Sequence, residues 1–204
     1  LMKKIAVLVS GRGSNLRALY GAIEKGKLDA EICLVVSNKS KAPALEFCRN
    51  KNIPYQICKL KDFDSREAFF DHLAGIVSLS GANLVVLAGF MMLVTPNFIR
   101  HFPNKVINIH PSLLPSFPGL DAQKQAFDYG VKVSGCTVFM VDEGCDTGPI
   151  IIQRAVEVLE TDTEETLADR ILAVEHDTLW RACKIMLDGK VSVSGRRTLI
   201  KEEQ

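Results

Sequence analysis

The sequence predicts an α/β fold in three layers, with a mostly parallel sheet and an antiparallel strand in the C-terminal half. Strand-like runs in the N-terminal half are apolar and alternate with segments of helical periodicity, which is typical of a parallel sheet covered by helices on both faces. The stretch 133–141 instead alternates apolar with small residues, as a half-exposed or antiparallel strand does. No linker-like segment interrupts the chain, so we expect one domain over 1–204, with halves of approximately 1–101 and 102–204.

The N-terminal half is predicted to alternate strands and helices. Buried strands are expected at four short apolar runs, 4–9, 32–36, 55–58 and 84–88. Helices are expected where apolar residues recur at spacings of three and four, at 14–24, 42–50 and 65–80. In the third of these helices, Phe69, Leu73 and Ile76 would share one face.

The C-terminal half is predicted to contain longer strands and one long helix. The expected strands lie at 106–110, 133–141 and 150–156. The helix is expected at 163–187, because Thr163 is a suitable N-cap with acidic residues directly behind it. The stretch 111–123 contains three prolines and has no periodicity, and irregular segments of this kind often serve as lids.

The composition is that of an ordinary globular protein. Of the 204 residues, 47% are apolar and 24% are charged, and the formal net charge is +1. This balance gives no electrostatic reason to expect nucleic acid or a membrane surface as a partner, although a local site for a small anion is compatible with it. The six cysteines include no C-x-x-C pair, and the N-terminus lacks a signal-peptide pattern, so we expect reduced thiols and a cytoplasmic protein.

A loop with two glycines follows the first predicted strand. Gly11 and Gly13 allow a tight turn, and Ser14 and Asn15 are suited to capping the next helix. Free N–H groups at a helix N-terminus favour a phosphate. The loop lacks the third glycine of a dinucleotide fingerprint and the lysine of a Walker A loop. It therefore indicates either a phosphate site or a plain turn between strand and helix.

Asn108 and His110 stand two residues apart at the end of a predicted strand. They therefore project from one face at the carboxyl end of the strand, where ligands bind in open α/β sheets. An Asn amide stabilises an oxyanion, and His exchanges a proton near neutral pH. For this pattern alone, a structural histidine with an Asn turn cap is the stronger interpretation, but the proline-rich segment that follows favours a site.

A third candidate is Asp146, in the glycine-flanked acidic loop before the strand 150–156. A carboxylate stabilises the protonated form of a nearby imidazole, so Asp146 is a possible partner of His110. A solvated turn acid is the alternative interpretation. We expect no metal here, because no close His or Cys ligand cluster accompanies the loop.

Six motifs cover nearly the whole chain: "LVSGRGSNL", "SREAF", "VVLAGFMMLVTP", "VINIHPSLLPSFPG", "VDEGCDTGPII" and "ILAVEHDTL". Together they resemble the glycinamide ribonucleotide formyltransferase family of purine biosynthesis. The "NIHPSLLP" block is shared with other formyltetrahydrofolate enzymes, whereas the "GRGSN" loop points to this member. The resemblance implies the three-layer formyltransferase fold, with a mononucleotide-binding half at 1–101 and a folate-binding and catalytic half at 102–204.

The resemblance also implies roles for individual residues. The catalytic trio would be Asn108, His110 and Asp146. The phosphate and ribose of the substrate would be held by Gly13, Ser14, Asn15 and Glu175. The folate would be held by Arg66, Met91, Met92, Leu93, Val94 and Asn108.

The implied reaction is the third step of de novo purine biosynthesis. The co-substrate 10-formyltetrahydrofolate would donate its formyl group to the amine of N1-(5-phospho-D-ribosyl)glycinamide. Asn108 and protonated His110 would stabilise the tetrahedral oxyanion, and Asp146 would keep His110 charged. No metal is required, and the expected partners are small molecules, with the enzyme as a monomer or homodimer.

Four positions depart from the pattern of many family members. Phe139 stands where many carry His, and Met92 where many carry Arg. Asp121 and Gln123 stand where some members have His. None of the four belongs to the trio, so activity is expected. Because these positions lack the cations and imidazoles of other members, we expect the ligand affinity and the pH profile to differ.

Other activities remain open. Methionyl-tRNA formyltransferases share the "HPSLLP" block but carry a further basic domain, and formyltetrahydrofolate hydrolases carry an extra N-terminal domain; we expect neither here. A sugar-nucleotide formyltransferase is a third alternative. A non-enzymatic nucleotide- or folate-binding module is a fourth, but binding alone does not need all three residues of the trio.

Overall fold

The structure is a computed structural model that describes residues 2–201. The chain divides into two compact units, Leu1–Ile107 and Asn108–Gln204, and the boundary falls inside strand β5 (Val106–His110). The predicted fold class is confirmed, because the strands pair mostly in parallel and antiparallel pairs occur in the C-terminal half.

The first unit contains a parallel sheet. Its strands are β1 (Lys4–Val9), β2 (Glu31–Ser37), β3 (Tyr55–Ile57) and β4 (Leu84–Leu87), in the spatial order β3-β2-β1-β4. β1 pairs with both β2 and β4, and residues 5–9 have no exposed surface. The continuous apolar run in β1 is what a strand buried on both faces requires.

The helices of the first unit are α1 (Ser14–Glu24), α2 (Pro43–Asn50), α3 (Arg66–Leu79) and α4 (Pro96–His101), with a short 3-10 helix at Leu60–Asp62. The hydroxyls of Ser65 and Thr95 accept from backbone N–H groups in the first turns of α3 and α4, and so begin these helices. Rings on α3 and α4, extended by the residue after α4, form a chain with centroids 4.9 to 5.8 Å apart: Phe69, Phe70, Phe98 and Phe102.

The second unit has antiparallel pairs. Its further strands are β6 (Val133–Met140), β7 (Ile150–Glu157), β8 (Val191–Ser194) and β9 (Arg197–Ile200), in the order β6-β7-β9-β8. Its helices are α5 (Ala122–Tyr129) and α6 (Glu164–Leu187). Helix α6 packs on β6 and β7 around a buried cluster of Cys136, Val156, Leu167 and Ile171.

The eleven predicted elements agree with the structure to within one residue at each end. The pattern of β6 allowed a half-exposed or an antiparallel strand; the strand is antiparallel, and residues 134–140 are buried. The proline-rich stretch without periodicity ends at Asp121, because α5 begins at Ala122. On α3, Phe69 and Leu73 are buried and Ile76 is half-buried. The sequence did not predict α4, the 3-10 helix or the hairpin β8–β9.

All six cysteines are free thiols, as expected. Burial raises the pKa of Cys48, Cys58 and Cys136 to about 11, so these thiols stay protonated and unreactive at neutral pH. Cys145 is the exposed member of the set. Among the described residues, no helix has the length and apolar character needed to cross a membrane.

Candidate active site

Strand β5 places Asn108 and His110 two residues apart, on one face. Ile109 between them is buried and belongs to the opposite face. His110 is 5% exposed, and Asn108 is half-buried. The strand ends here because Pro111 has no N–H to continue the ladder.

His110 contacts an acceptor through each of its ring nitrogens. Nδ1 lies 3.3 Å from Oδ2 of Asp146, and Nε2 lies 2.8 Å from the carbonyl oxygen of Phe117. These two contacts hold the ring in one orientation.

Asp146 is held in place by its backbone and by a second donor. Its side chain is 12% exposed, and Oδ2 also accepts from the N–H of Gly119 at 2.8 Å. Its φ of 54° lies in the left-handed region, which Asp adopts more readily than most residues. The carboxylate thus links the acidic loop to the segment that follows β5.

The acidic loop between β6 and β7 is closed by internal hydrogen bonds. Oδ1 of Asp142 accepts from the N–H of Gly144 at 3.1 Å and from the hydroxyl of Thr147 at 2.6 Å. At Gly148 a Cβ would lie 1.6 Å from the carbonyl oxygen of Met140, so no side chain fits there. The loop is therefore a compact turn, and Asp146 projects from it towards His110.

In the first unit, the glycine loop joins β1 to α1. Gly13 is the N-cap residue of α1, with a φ of 74°, and no side chain caps the helix. The prediction that Ser14 and Asn15 cap the helix was therefore wrong, because both lie inside its first turn. The N–H groups of that turn carry the positive end of the helix dipole and are suited to an anion. Gly13, Ser14 and Asn15 all lie at this N-terminus of α1.

The segment between β4 and α4 contains four of the six residues predicted to hold a folate, Met91 to Val94. Met91 donates its backbone N–H to the hydroxyl of Ser10 at 2.8 Å, and Leu93 accepts a hydrogen bond from the guanidinium of Arg66 through its carbonyl oxygen. Met91 and Leu93 are exposed, Met92 is half-buried and Val94 is buried. The structure therefore brings Arg66 and this segment together.

Glu175, predicted to bind ribose hydroxyls, lies on α6 and is 5% exposed. Its charge contributes to the raised pKa of Cys136, which shows that the carboxylate lies near β6.

The model of the formyl transferase family matches residues 3–183. The chain belongs to the formyl transferase family. It is 44% identical over 175 residues to the phosphoribosylglycinamide formyltransferase of Bacillus subtilis (strain 168), covering 86% of this chain and 90% of that protein. It is 47% identical over 189 residues to the trifunctional purine biosynthetic protein adenosine-3 of Drosophila pseudoobscura pseudoobscura, covering 92% of this chain but 14% of the length of that protein.

A solved structure agrees with this membership. Glycinamide ribonucleotide transformylase 1 from Symbiobacterium toebii matches with a TM-score of 0.96 and 44% identity, covering 98% of this chain and 95% of that one. The predicted formyltransferase fold is therefore confirmed.

Sequence reasoning missed two polar residues that hold the segment after His110 in this formyl transferase. The hydroxyl of Thr137 on β6 donates to the carbonyl of Ser112 at 2.7 Å and accepts from the N–H of Leu114 at 3.1 Å. The amide of Gln153 on β7 donates to Thr137 at 3.0 Å and to the carbonyl of Leu114 at 2.8 Å. A signal was present in the sequence, because a hydroxyl inside an otherwise apolar strand needs a hydrogen-bond partner.

A second missed feature is the C-terminal hairpin β8–β9. Arg196 lies in the turn of this hairpin and donates to the carbonyl of Thr147 at 2.7 Å. Thr198 on β9 donates to the carbonyl of Ile150 at 2.5 Å. The hairpin therefore holds the C-terminal side of the acidic loop. No local sequence pattern indicates this contact, because it depends on the pairing of β7 with β9.

The positions that depart from the family pattern have different environments. Phe139 is 2% exposed within β6, so it acts as a core residue. Asp121 is the residue before α5 and has a φ of 55°, and Gln123 lies in the first turn of that helix. Within residues 2–201, no group of three or more His, Cys, Asp or Glu side chains is arranged to hold a metal ion.

Proposed function

We propose that this formyl transferase transfers the formyl group of 10-formyltetrahydrofolate to the amine of N1-(5-phospho-D-ribosyl)glycinamide, giving the N2-formyl product and tetrahydrofolate. This is the third step of de novo purine biosynthesis. The contact of His110 with Asp146 is the observation that carries the chemistry. The similarity to a phosphoribosylglycinamide formyltransferase over most of both chains supports the choice of acceptor.

In the proposed mechanism, the amine attacks the formyl carbon and a tetrahedral oxyanion forms. Asn108 and protonated His110 donate hydrogen bonds to this oxygen, which lowers the barrier because the donors are held ready before the charge develops. Asp146 orients the ring through Nδ1 and stabilises its positive charge. The amine proton passes, through water or His110, to N10 of the folate as the C–N10 bond breaks.

The Nε2 atom of His110 now faces the carbonyl of Phe117. A formyl oxygen that is to be stabilised by Nε2 would therefore take the place of this carbonyl. Phe117 has a φ of 53°, an unusual value for a bulky residue, and it lies in the proline-rich segment proposed as a lid. A small movement of this segment would expose Nε2 to substrate.

The remaining binding roles are proposals of the same kind. The N–H groups at Gly13, Ser14 and Asn15 would bind the substrate phosphate, and Glu175 would accept from the ribose hydroxyls. The folate would be held by Arg66, Met91, Met92, Leu93, Val94 and Asn108. No metal takes part in the proposed reaction, and we further propose a cytoplasmic enzyme with small-molecule partners that acts as a monomer or homodimer.

The test is a comparison of acceptors with one formyl donor. Purified protein and 10-formyltetrahydrofolate are mixed with the glycinamide ribonucleotide, an amino-sugar nucleotide, methionyl-tRNA or no acceptor, and release of tetrahydrofolate is followed by absorbance. We expect the largest kcat/KM for the glycinamide ribonucleotide. Faster release without any acceptor would instead indicate a hydrolase, and turnover with another acceptor alone would refute the proposed substrate.

A further inference from the structure

The first unit contains a cavity that the proposed reaction does not use. It has a volume of about 380 Å³ and lies where the chain leaves the carboxyl ends of β2 and β3. Its polar lining consists of Asn38, Lys39, Ser40, Lys41, Lys59 and Lys61. No residue of the glycine loop and none of the residues 91–94 lines it.

Strand pairing builds this cavity from two separate segments. β2 and β3 are parallel, with Ser37 paired to Ile57, and the N–H of Cys58 donates to the carbonyl of Ser37 at 2.9 Å. The two lysine-bearing segments therefore leave the sheet side by side. The hydroxyl of Ser37, which is fully buried, also bonds both the N–H and the carbonyl of Lys39. The backbone that carries the first lysines is thus fixed.

The cavity concentrates positive charge. Four of its lining residues are lysines, and no Asp or Glu is among the residues that line it. Within residues 2–201, none of these four ammonium groups forms an ion pair, although lysines elsewhere do, as Lys124 does with Asp128. Like charges held near one another repel, and an anion of two or more charges relieves that repulsion.

We propose that this cavity binds a small oxyanion with two or more negative charges, carried by phosphate or carboxylate groups. Lys is a flexible point charge that binds phosphate oxygens without demanding a planar geometry. A concave surface lined by one sign of charge focuses the field and attracts such a ligand from solution. The cavity is open to solvent, so an anion reaches the lysines directly.

The site is connected to both proposed substrate-binding loops of the first unit. Oδ1 of Asn38, in the lining, accepts from the hydroxyl of Ser10 at 2.7 Å, and that hydroxyl accepts from the N–H of Met91 at 2.8 Å. Ser10 directly precedes the glycine loop, and Met91 begins the proposed folate-binding segment. From Asn38, one hydrogen bond therefore leads to Ser10, beside the glycine loop, and a second leads on to Met91.

The test measures anion binding by calorimetry with the chain 1–204. Inorganic pyrophosphate represents phosphate ligands, and citrate represents carboxylate ligands. The variant K59A/K61A removes two cavity charges, and K25A/K105A removes two exposed lysine charges of the same unit outside the cavity. We expect saturable binding of at least one probe, an affinity loss of about tenfold in K59A/K61A, and wild-type affinity in the control.

The outcomes separate the possibilities. Tighter binding of pyrophosphate identifies a phosphate ligand, and tighter binding of citrate identifies a carboxylate ligand. Either result supports the site, provided that K59A/K61A weakens the binding of that probe. Equal affinities in wild type and both variants place the anion elsewhere, as at the glycine loop, and overturn the proposal. A second measurement is acetylation by acetic anhydride, detected by mass spectrometry. The bound probe should protect the four lysines of the cavity and leave Lys25 unprotected; the four are Lys39, Lys41, Lys59 and Lys61. Equal labelling of these four lysines with and without the probe also overturns the proposal.

Discussion

The proposed catalytic centre of the second unit is built from side chains, whereas the glycine loop of the first unit is built from backbone. His110 is buried, Asp146 is half-buried, and the two side chains contact each other and are fixed by further hydrogen bonds. The glycine loop offers N–H groups, and its central requirement is the absence of a Cβ at Gly13. The first kind of site depends on the chemical identity of its residues, and the second depends on the conformation that they allow.

The largest expected effect follows from removing the chemistry of the side-chain site. His110→Ala and Asp146→Asn should each lower kcat by about 10²–10⁴, because they remove the proton-carrying ring or the charge that holds it. Steady-state kinetics with the formyl donor and the ribonucleotide measures this. Asp128→Asn is the control, since this exposed carboxylate of the same unit pairs with Lys124 at the surface. Near-normal kcat in both active-site variants would falsify the mechanism.

A smaller effect is expected from the hydrogen bonds of Thr137, which hold the segment that follows His110. Thr137→Val keeps the shape but leaves Leu114 N–H without its partner, so it should cost about 1–3 kcal/mol of unfolding free energy and also lower kcat. Denaturant unfolding and kinetics measure the two effects. Thr137→Ser keeps the hydroxyl and should retain most of the stability and most of kcat. If the Val and Ser variants have the same stability and the same kcat, the hydroxyl does not position the segment.

The backbone site is tested by adding a methyl group to a glycine. In Gly13→Ala the Cβ would lie 2.7 Å from Cβ of Ala44, and the left-handed φ adds about 1–2 kcal/mol of strain. We expect a lower Tm and a higher KM for the ribonucleotide. Gly21→Ala, inside the same helix with open space around it, should instead raise stability by about 0.5–1 kcal/mol. An unchanged KM in Gly13→Ala would mean that the loop does not hold the substrate.

The smallest effect concerns the entry to α6, the helix that carries Glu175. A two-pronged hydrogen bond from Arg170, at 2.6 and 2.7 Å, holds the pKa of Asp162 well below its ordinary value. A carboxyl with a lowered pKa in the folded state contributes stability above its unfolded pKa, and this contribution is lost as the pH falls. Asp162→Asn should therefore lower Tm at pH 7, and its difference from wild type should shrink below about pH 4.

Asp169→Asn, an exposed carboxylate on the same helix, is the control for that experiment. It should change Tm little at any pH, because surface carboxylates without a close partner contribute little to stability. A difference between Asp162→Asn and wild type that stays constant from pH 7 to pH 3 would contradict the assignment.

Much of the fold was predictable because its signals are local. The periodicity of apolar residues placed β1, α1 and β5 at their observed bounds. The helix α5 was missed because the prolines before it obscure its short pattern. The alternation of apolar and small residues in β6 left a half-exposed and an antiparallel strand open, and only the packing of α6 on the buried, antiparallel strand decided between them.

For the candidate site, strand periodicity predicted that Asn108 and His110 share a face, and the family resemblance added Asp146. The sequence by itself also determined the position of the glycine turn and the absence of a dinucleotide fingerprint. The tertiary structure alone decided the 3.3 Å contact of His110 with Asp146, the support from Thr137 and Gln153, and the meeting of four lysines in one cavity. The physical reason is that these contacts join residues far apart in the chain, and their geometry is set by strand pairing and loop closure, which no local pattern encodes.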